Sequence, residues 1–140
     1  MESKFTLNKN ERLCLKKQID RLFSNGRWLR SHHFRCLYLE IEEELPYPAQ
    51  VLFTVPKKLH RTAIARNLLK RRMRESYRLN KSVLYKKLGE LNKNILLAFS
   101  YSAENRADYK TIEREIKHLL AQLNSRLMKM DELSKQTDKK

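Results

Sequence analysis

The chain has little glycine, proline and cysteine, and few acids for its number of bases. Two glycines and three prolines among 140 residues exclude a flexible low-complexity binding segment. Cys14 and Cys36 stand apart, without the Cys and His spacing of a zinc site, and indicate two buried, reduced thiols in a cytoplasmic protein. No apolar run approaches the roughly 20 residues that cross a bilayer, and the N-terminus lacks the apolar region of a signal peptide, so we expect no membrane association.

The shortage of acids leaves the chain strongly basic. Lysine and arginine number 31 against 16 aspartates and glutamates, which gives a formal charge of +15. Such an excess repels itself in a compact fold, so it favours a negatively charged partner, and nucleic acid is the candidate that remains. The length fits a single domain over residues 1–130, followed by a polar tail, 131–140, that we predict to be disordered.

One predicted helix concentrates the positive charge. Its segment, 62–78, contains neither glycine nor proline, and Thr62 is a suitable N-cap. At 100° per residue, four cations repeat at i, i+4 and form a basic ridge, which comprises Arg66, Lys70, Arg74 and Arg78. Beside the ridge lie Asn67, Arg71 and Lys81, and opposite it lie Ala65, Leu68, Leu69, Met73 and Leu79. Because like charges at this spacing repel by roughly 0.2–0.5 kcal/mol per pair, the ridge is suited to a polyanion.

The order of residues in this helix is similar to a motif of the bacterial ribonuclease P protein subunit. The matching residues are Arg66-Asn67-x-x-Lys70-Arg71-x-x-Arg74-Glu75, preceded by Val55-Pro56-Lys57-Lys58, which resembles the strand end before that helix in the family. With the first and last predicted helices, the resemblance spans residues 5–125. Leu68 departs from it, since the family usually has an arginine there. Arg72 also departs, and because it falls on the apolar side, we expect its charged end to reach solvent or a polar partner.

A first amphipathic helix is predicted between Asn8 and Gly26. Asn8, followed three residues later by Glu11, is a start signal of the capping-box type, and Gly26 is a stop signal. Helical spacing places four apolar side chains on one face of this helix, namely Leu15, Ile19, Leu22 and Phe23.

Three strands and a last helix complete the pattern. The strands are predicted over 33–41, 50–55 and 94–101, and the helix over 108–130. Alternation along the first strand places on one face Phe34, Cys36 and Tyr38, and on the other Leu37, Leu39 and Ile41.

The order helix, two antiparallel strands, helix, strand, helix predicts an α+β fold. We expect a small mixed sheet packed with helices, with room for one extra short strand. Parallel strands joined by a helix normally form a right-handed crossover. The family resemblance implies instead a left-handed βαβ crossover around the basic helix, in a fold of the ribosomal protein S5 domain 2-like class.

The titratable residues do not indicate a nuclease site within the protein. Such a site needs acid–base groups, or carboxylates holding a metal ion, that converge on one phosphate. His32 and His33 are adjacent and would point to opposite faces of a strand. His60 and His118 stand alone, and the glutamates at 42–44 fall in a predicted loop. We therefore predict no catalytic residue and no metal ligand in this chain.

The large side chains near the first helix have two interpretations. A thin two-layer fold needs aromatic residues in its core, whereas an aromatic residue beside a cleft stacks on unpaired RNA bases at roughly 1–3 kcal/mol per base. The resemblance implies a groove between the first helix and the sheet that holds the 5′ leader of precursor tRNA. On that basis Phe23 and Ile19 belong to the groove. Tyr38 is the only tyrosine available as its strand aromatic, although an ungapped count places the family's position nearer Leu37.

The resemblance implies the protein subunit of a ribonucleoprotein that removes 5′ leaders from precursor tRNAs in the cytoplasm. The catalytic RNA subunit, with bound magnesium, would hydrolyse the phosphodiester, and the protein would bind that RNA and the precursor tRNA but no DNA. RNA contacts are expected from Lys57, Lys58, Arg66, Asn67, Lys70, Arg71, Arg74 and Arg78. A ribosomal or chaperone-like RNA-binding protein without a processing role is the alternative, and an autonomous nuclease is a third hypothesis.

Overall fold

The computed structural model describes residues 7 and 9–138, and it places side chains as far as residue 129. Regular structure begins with a short 3₁₀ turn, followed by three helices and four strands. In chain order these are the 3₁₀ turn (Lys9–Glu11), α1 (Lys16–Asn25), β1 (Arg27–Arg30), β2 (Phe34–Ile41), β3 (Ala49–Thr54), α2 (Ala63–Leu91), β4 (Asn94–Tyr101) and α3 (Tyr109–Asp138).

The strands form one mixed sheet in the order β1-β2-β4-β3. β2 pairs antiparallel with both β1 and β4, whereas β3 pairs parallel with β4. The α+β class and the extra short strand, β1, are confirmed. β2 and β3 run in opposite directions, as predicted, but they are not neighbours. After β3, α2 returns the chain so that β4 runs parallel to β3 and lies between β3 and β2. This β3–α2–β4 unit is the crossover that the resemblance implies, and its left hand stays a prediction.

α2 and α3 cover one face of the sheet and enclose the larger core. Alternation along β2 buries Phe34, Cys36 and Tyr38 on this face, as predicted. α2 begins as predicted after Thr62, whose Oγ1 accepts a hydrogen bond from the Ala65 N–H at 3.2 Å. It continues to Leu91, well beyond the predicted segment. α3 likewise runs past Met130 to Asp138, through most of the segment 131–140 that the sequence predicts to be disordered.

α1 covers the opposite face and encloses a smaller core. Its apolar residues are Leu13, Leu22, Leu37, Ile41, Leu96 and Ala98. The predicted stop at Gly26 is confirmed, and the glycine is needed for close approach rather than for an unusual turn. A Cβ at Gly26 would lie 2.5 Å from the Leu22 carbonyl oxygen and 2.7 Å from Leu37 Cδ1. Any larger residue would therefore push the end of α1 away from β2.

The start of the first helix differs from the prediction. The chain first runs along edge strand β3, where the Leu13 N–H donates to the Val51 carbonyl at 2.9 Å, and α1 begins only at Lys16. Leu15, predicted on the apolar face of this helix, lies just before it and is exposed. Asn8, the first half of the predicted capping box, lies outside the described residues.

Glu11, the second half of that box, forms a buried ion pair instead. Its carboxylate contacts Lys81 Nζ and accepts a hydrogen bond from the Tyr85 hydroxyl at 2.7 Å. Both charged side chains of the pair are buried. Lys81 therefore lies on the predicted side of α2, but it is buried and does not belong to the exposed ridge. Lys81 follows Arg74 by seven residues and shares its side of α2, but at this level of the helix the 3₁₀ turn covers that side.

Candidate nucleic-acid interface

On the first half of α2, the predicted cations at the middle of the basic ridge are accessible to solvent. Asn67 and Arg71 are exposed, and Lys70 and Arg74 are half-buried. Within the part of the chain that the structure describes, no carboxylate pairs with Lys70, Arg71 or Arg74. The charges of these three side chains are therefore available to an external anion.

Contacts within the protein hold the two ends of the basic ridge. Arg66 Nη1 donates to the carbonyl oxygens of His60 and Arg61, both at 2.9 Å. Arg78 Nη2 lies 2.5 Å from Glu75 Oε1, and hydrogen bonding from Arg78 lowers the pKa of the Glu75 carboxyl below its usual value. Arg66 therefore fixes the loop that precedes α2, and Arg78 is partly neutralised, so the middle of the ridge carries most of its field.

The remaining cations of the motif divide between structure and surface. Arg72 finds the polar partner that its position requires, because its Nη1 donates to the Ala107 carbonyl at 2.7 Å. This bond anchors the loop before α3, where the Tyr101 hydroxyl also accepts from the Ala107 N–H at 2.9 Å. Lys57 and Lys58 are exposed in the turn after β3, where they extend the positive surface toward the start of α2.

A cleft of about 250 Å³ connects the ridge with the α1 side of the molecule. It lies at the edge strand β3, with cations on its rim and apolar side chains in its floor. The lining residues are Arg12, Leu13, Cys14, Val51, Leu52, Phe53, Lys70 and Arg74. Cys14 is exposed here, contrary to the prediction of two buried thiols, because its segment precedes α1 instead of packing within it. Cys36 is buried as predicted, and burial raises the pKa of its thiol.

α1 leaves one end of its sheet face uncovered. Strand pairing places Arg30, Arg35, Ser100 and Thr54 in one row across the sheet. The adjacent row on the same face comprises Trp28, Leu37, Ala98 and Leu52. Both arginines are exposed, and Trp28 is 43% exposed. Leu37 and Ala98 of the second row are buried beneath α1, so we define the open face by Trp28, Arg30, Arg35, Ser100 and Thr54. Its β1 residues are not predicted from the sequence, since a four-residue strand is too short for alternation to be recognised.

The residues predicted for the leader groove separate into two groups. Phe23 is 47% exposed beside the fully buried Leu22, and Ile19 is half-buried against the smaller core, so both lie on the α1 side. Tyr38 is only 1% exposed and belongs to the core beneath α2 and α3. Its assignment to the groove is wrong because alternation directs it to the other face. Leu37 is the β2 residue at this level that faces α1.

Two of the four histidines considered for catalysis, His33 and His60, are held in structural contacts. His33 Nδ1 contacts Glu115, whose Oε1 also accepts from the His33 backbone N–H at 2.6 Å. Partial burial acts to raise the pKa of the Glu115 carboxyl, but hydrogen bonds from Ser31 and His33 outweigh it and lower that pKa. His60 Nε2 lies 2.8 Å from the Ala103 carbonyl oxygen. Over residues 7 and 9–129, no three His, Cys, Asp or Glu side chains come together in a way that would hold a metal ion.

These features define an α+β protein with positive charge on two surfaces, both suited to a polyanion. One surface is the middle of the basic ridge, and the other is the open face with its two arginines and the exposed Trp28. Among the described helices, none has the length and apolar character needed to cross a bilayer.

Comparison with known proteins identifies the family. A family model described as Ribonuclease P matches residues 7–124. The ribonuclease P protein component of Porphyromonas gingivalis is 34% identical over 119 residues, which cover 85% of this chain and 87% of the relative. The corresponding component of Chlorobaculum tepidum is 40% identical over 121 residues, covering 79% and 77%. The chain therefore belongs to the ribonuclease P protein family.

Solved structures agree with this assignment. The RNase P protein from Thermotoga maritima has a TM-score of 0.60 and 26% identity, covering 79% of this chain and 94% of that one. The RNase P protein of Staphylococcus aureus has a TM-score of 0.58 at 20% identity, covering 81% and 94%, and supports the fold alone. As the resemblance implied, the chain is a protein component of ribonuclease P, a ribonucleoprotein of tRNA processing.

Proposed function

We propose that this chain binds the catalytic RNA of ribonuclease P through the basic ridge, and the 5′ leader of precursor tRNA through the open face. The observation that carries the proposal is the pair of surfaces, joined by the cleft at β3, in which cations lie beside exposed aromatic side chains. Cations bind phosphates of any sequence. Aromatic faces stack on unpaired bases. A leader that is single-stranded offers both kinds of group at once.

The proposal gives distinct tasks to the groups of the interface. Lys70, Arg71 and Arg74 would neutralise phosphates of the catalytic RNA, with Asn67 donating from beside them and Lys57, Lys58, Arg66 and Arg78 extending the same surface. Phe23 would stack on a leader base at the end of α1, with Ile19 supporting it. Arg30 and Arg35 would bind leader phosphates, and Trp28 would offer a second stacking surface.

Hydrolysis of the phosphodiester belongs, in this proposal, to the RNA subunit and its magnesium ions. The protein contributes binding free energy and position, since His33 and His60 are engaged in the fold and do not converge on a shared substrate atom. By offsetting repulsion between phosphates, the protein would also strengthen magnesium binding by the RNA. We expect the assembly in the cytoplasm, and we expect no binding to DNA.

A cleavage assay at low magnesium tests the proposal. The ribonuclease P RNA of the same bacterium is incubated with precursor tRNA, with and without this protein, and the protein is also incubated alone. We expect the protein to accelerate cleavage at the mature 5′ end by the RNA, and to leave the substrate intact by itself. Equal rates with and without the protein would indicate the alternative, an RNA-binding protein without a processing role. Cleavage at the mature 5′ end by protein alone would indicate the autonomous nuclease.

A further inference from the structure

The outer side of α2 carries a second, shallow hollow, of about 660 Å³. It is separate from the cleft at β3, although Arg74 contributes to both. Its lining residues are Ile64, Asn67, Leu68, Arg71 and Arg74. The hollow thus combines two apolar side chains with an amide and two guanidinium groups on the surface of one helix.

The apolar part of the hollow has no explanation in the fold. Ile64 is 83% exposed and Leu68 is only half-buried, although the sequence places Leu68 on the apolar side of the helix. Single exposed apolar residues are ordinary. These two lie one helical turn apart and form a continuous strip, which Arg71 extends three residues beyond Leu68. Burial of the strip against a partner would be favourable.

The charges around the hollow restrict the chemistry of that partner. Arg71 and Arg74 have no carboxylate partner among the described residues. Glu75, the acid nearest in sequence, already pairs with Arg78. The rim is therefore positive and the floor apolar, so the complementary ligand is an anion that also offers a flat apolar face. An unpaired nucleotide has both, because its base is no longer covered by a pairing and stacking neighbour.

We infer that the hollow binds an unpaired nucleotide of the catalytic RNA, an inference that rests on the proposed function. The base packs on Ile64 and Leu68, and Asn67 hydrogen-bonds to its edge, while Arg71 and Arg74 bind adjacent phosphates. An arginine, which is usual in the family at this position, would make an ionic contact with the RNA. Leu68 makes an apolar contact instead. The chain would read one base at this point as well as bind phosphates.

Salt-dependent binding separates an apolar contact from an ionic one. Affinity for the ribonuclease P RNA of the same bacterium is measured over a range of salt concentrations for Ile64→Ala and Leu68→Ala. The matched control is Val83→Ala, which truncates another exposed apolar residue of α2, 61% exposed and outside the hollow. We expect each hollow variant to bind about five- to tenfold more weakly with an unchanged log–log slope, and Val83→Ala to bind within about twofold of the wild type.

Charge variants complete the test. Arg71→Ala should flatten the slope by just under one unit, whereas Leu68→Arg should steepen it by a similar amount. Because Ile64 is so exposed, its truncation leaves the fold intact, which thermal melts check. If both hollow variants match Val83→Ala while the wild type binds with a steep salt dependence, the inference is refuted and the proposed function stands. If the wild type does not bind this RNA, both fail together.

Discussion

The two faces of the sheet are built on the same strands, yet one is closed and the other is partly open. On the closed face, α2 and α3 are 29 and 30 residues long, and Tyr38, Phe99 and Tyr101 are at most 1% exposed. On the other face, α1 has ten residues, which span only about 15 Å, and it leaves Trp28 and Arg35 in solvent. The length of the covering helix thus decides how much of each face is buried and how much stays exposed.

The same contrast separates the cations of α2. Lys70 and Arg74 have no acidic partner among the described residues, whereas Lys81 is buried against Glu11. All three lie on one side of the helix, and only the local cover differs. A basic residue on this side is therefore buried in an ion pair where the 3₁₀ turn lies over it, and it stays available to an external anion where the turn does not. Mutations at these positions and on the two faces should separate stability from binding.

The largest effect on stability should come from Glu11→Ala. This change leaves Lys81 buried without its charged partner, so we expect a loss of roughly 3–5 kcal/mol in the free energy of unfolding. Denaturant titration measures the loss. Lys70→Met, which removes a solvent-facing cation from the same side of α2, is the control and should change stability by less than about 0.5 kcal/mol. A small effect in both variants would show that the buried pair does not anchor the N-terminal segment.

A comparably large effect on RNA binding should follow Lys70→Glu combined with Arg74→Glu. Removing two charge-assisted hydrogen bonds to phosphates should weaken binding to the catalytic RNA by roughly 3 kcal/mol. The log–log salt dependence should flatten by just under one unit for each phosphate that is no longer neutralised. The control pair, Lys86→Glu with Lys110→Glu, makes the same change of net charge at exposed positions outside the described clefts. Equal losses of affinity in the two double variants would mean that net charge, and not the ridge, determines affinity.

An intermediate effect is expected for Phe23→Ala at the end of α1. If Phe23 stacks on a leader base, the holoenzyme should bind precursor tRNA roughly 1–3 kcal/mol more weakly, while its affinity for mature tRNA stays unchanged. Leu22→Ala truncates the neighbouring buried side chain, and it should lower stability by roughly 2–5 kcal/mol. A large loss of thermal stability in Phe23→Ala, with no selective loss for precursor tRNA, would place Phe23 in the core.

The smallest effect should come from Tyr38→Phe on the closed face. The Tyr38 hydroxyl is buried and has no hydrogen-bond partner within the described residues. Its removal relieves an unsatisfied polar group, so stability should stay equal or rise by about 1 kcal/mol or less. Affinity for precursor tRNA should not change, and paired unfolding and binding measurements check both statements. A selective loss of affinity for precursor tRNA would show that Tyr38 contributes to the leader groove.

Local patterns in the sequence were sufficient for much of the fold. Alternation along β2 correctly assigned both of its faces, and Thr62 was correctly identified as the cap of α2. The same alternation excludes Tyr38 from the α1 side. The family resemblance nevertheless suggests Tyr38 for the leader groove, because it is the only tyrosine near the strand position that the family uses there.

Long-range contacts limited what the sequence could reveal. Glu11 matches a local capping pattern, yet it pairs with Lys81, 70 residues away. No local signal predicts that pairing. Trp28 and Arg30 belong to the open face only because β1 pairs with β2. The register of that pairing is known only from the three-dimensional structure. The basic ridge could therefore be predicted from the sequence of one helix, whereas the open face could be recognised only from the pairing of the strands.

The most direct test of two separate RNA surfaces is site-specific photocrosslinking in the assembled holoenzyme with precursor tRNA. A benzophenone amino acid is placed at Phe23, at the end of α1, in one sample and at Arg71 on α2 in another. The account predicts that the Phe23 probe crosslinks to the 5′ leader and the Arg71 probe to the catalytic RNA. Crosslinks from both positions to the same RNA, or from Phe23 to the catalytic RNA alone, would contradict it.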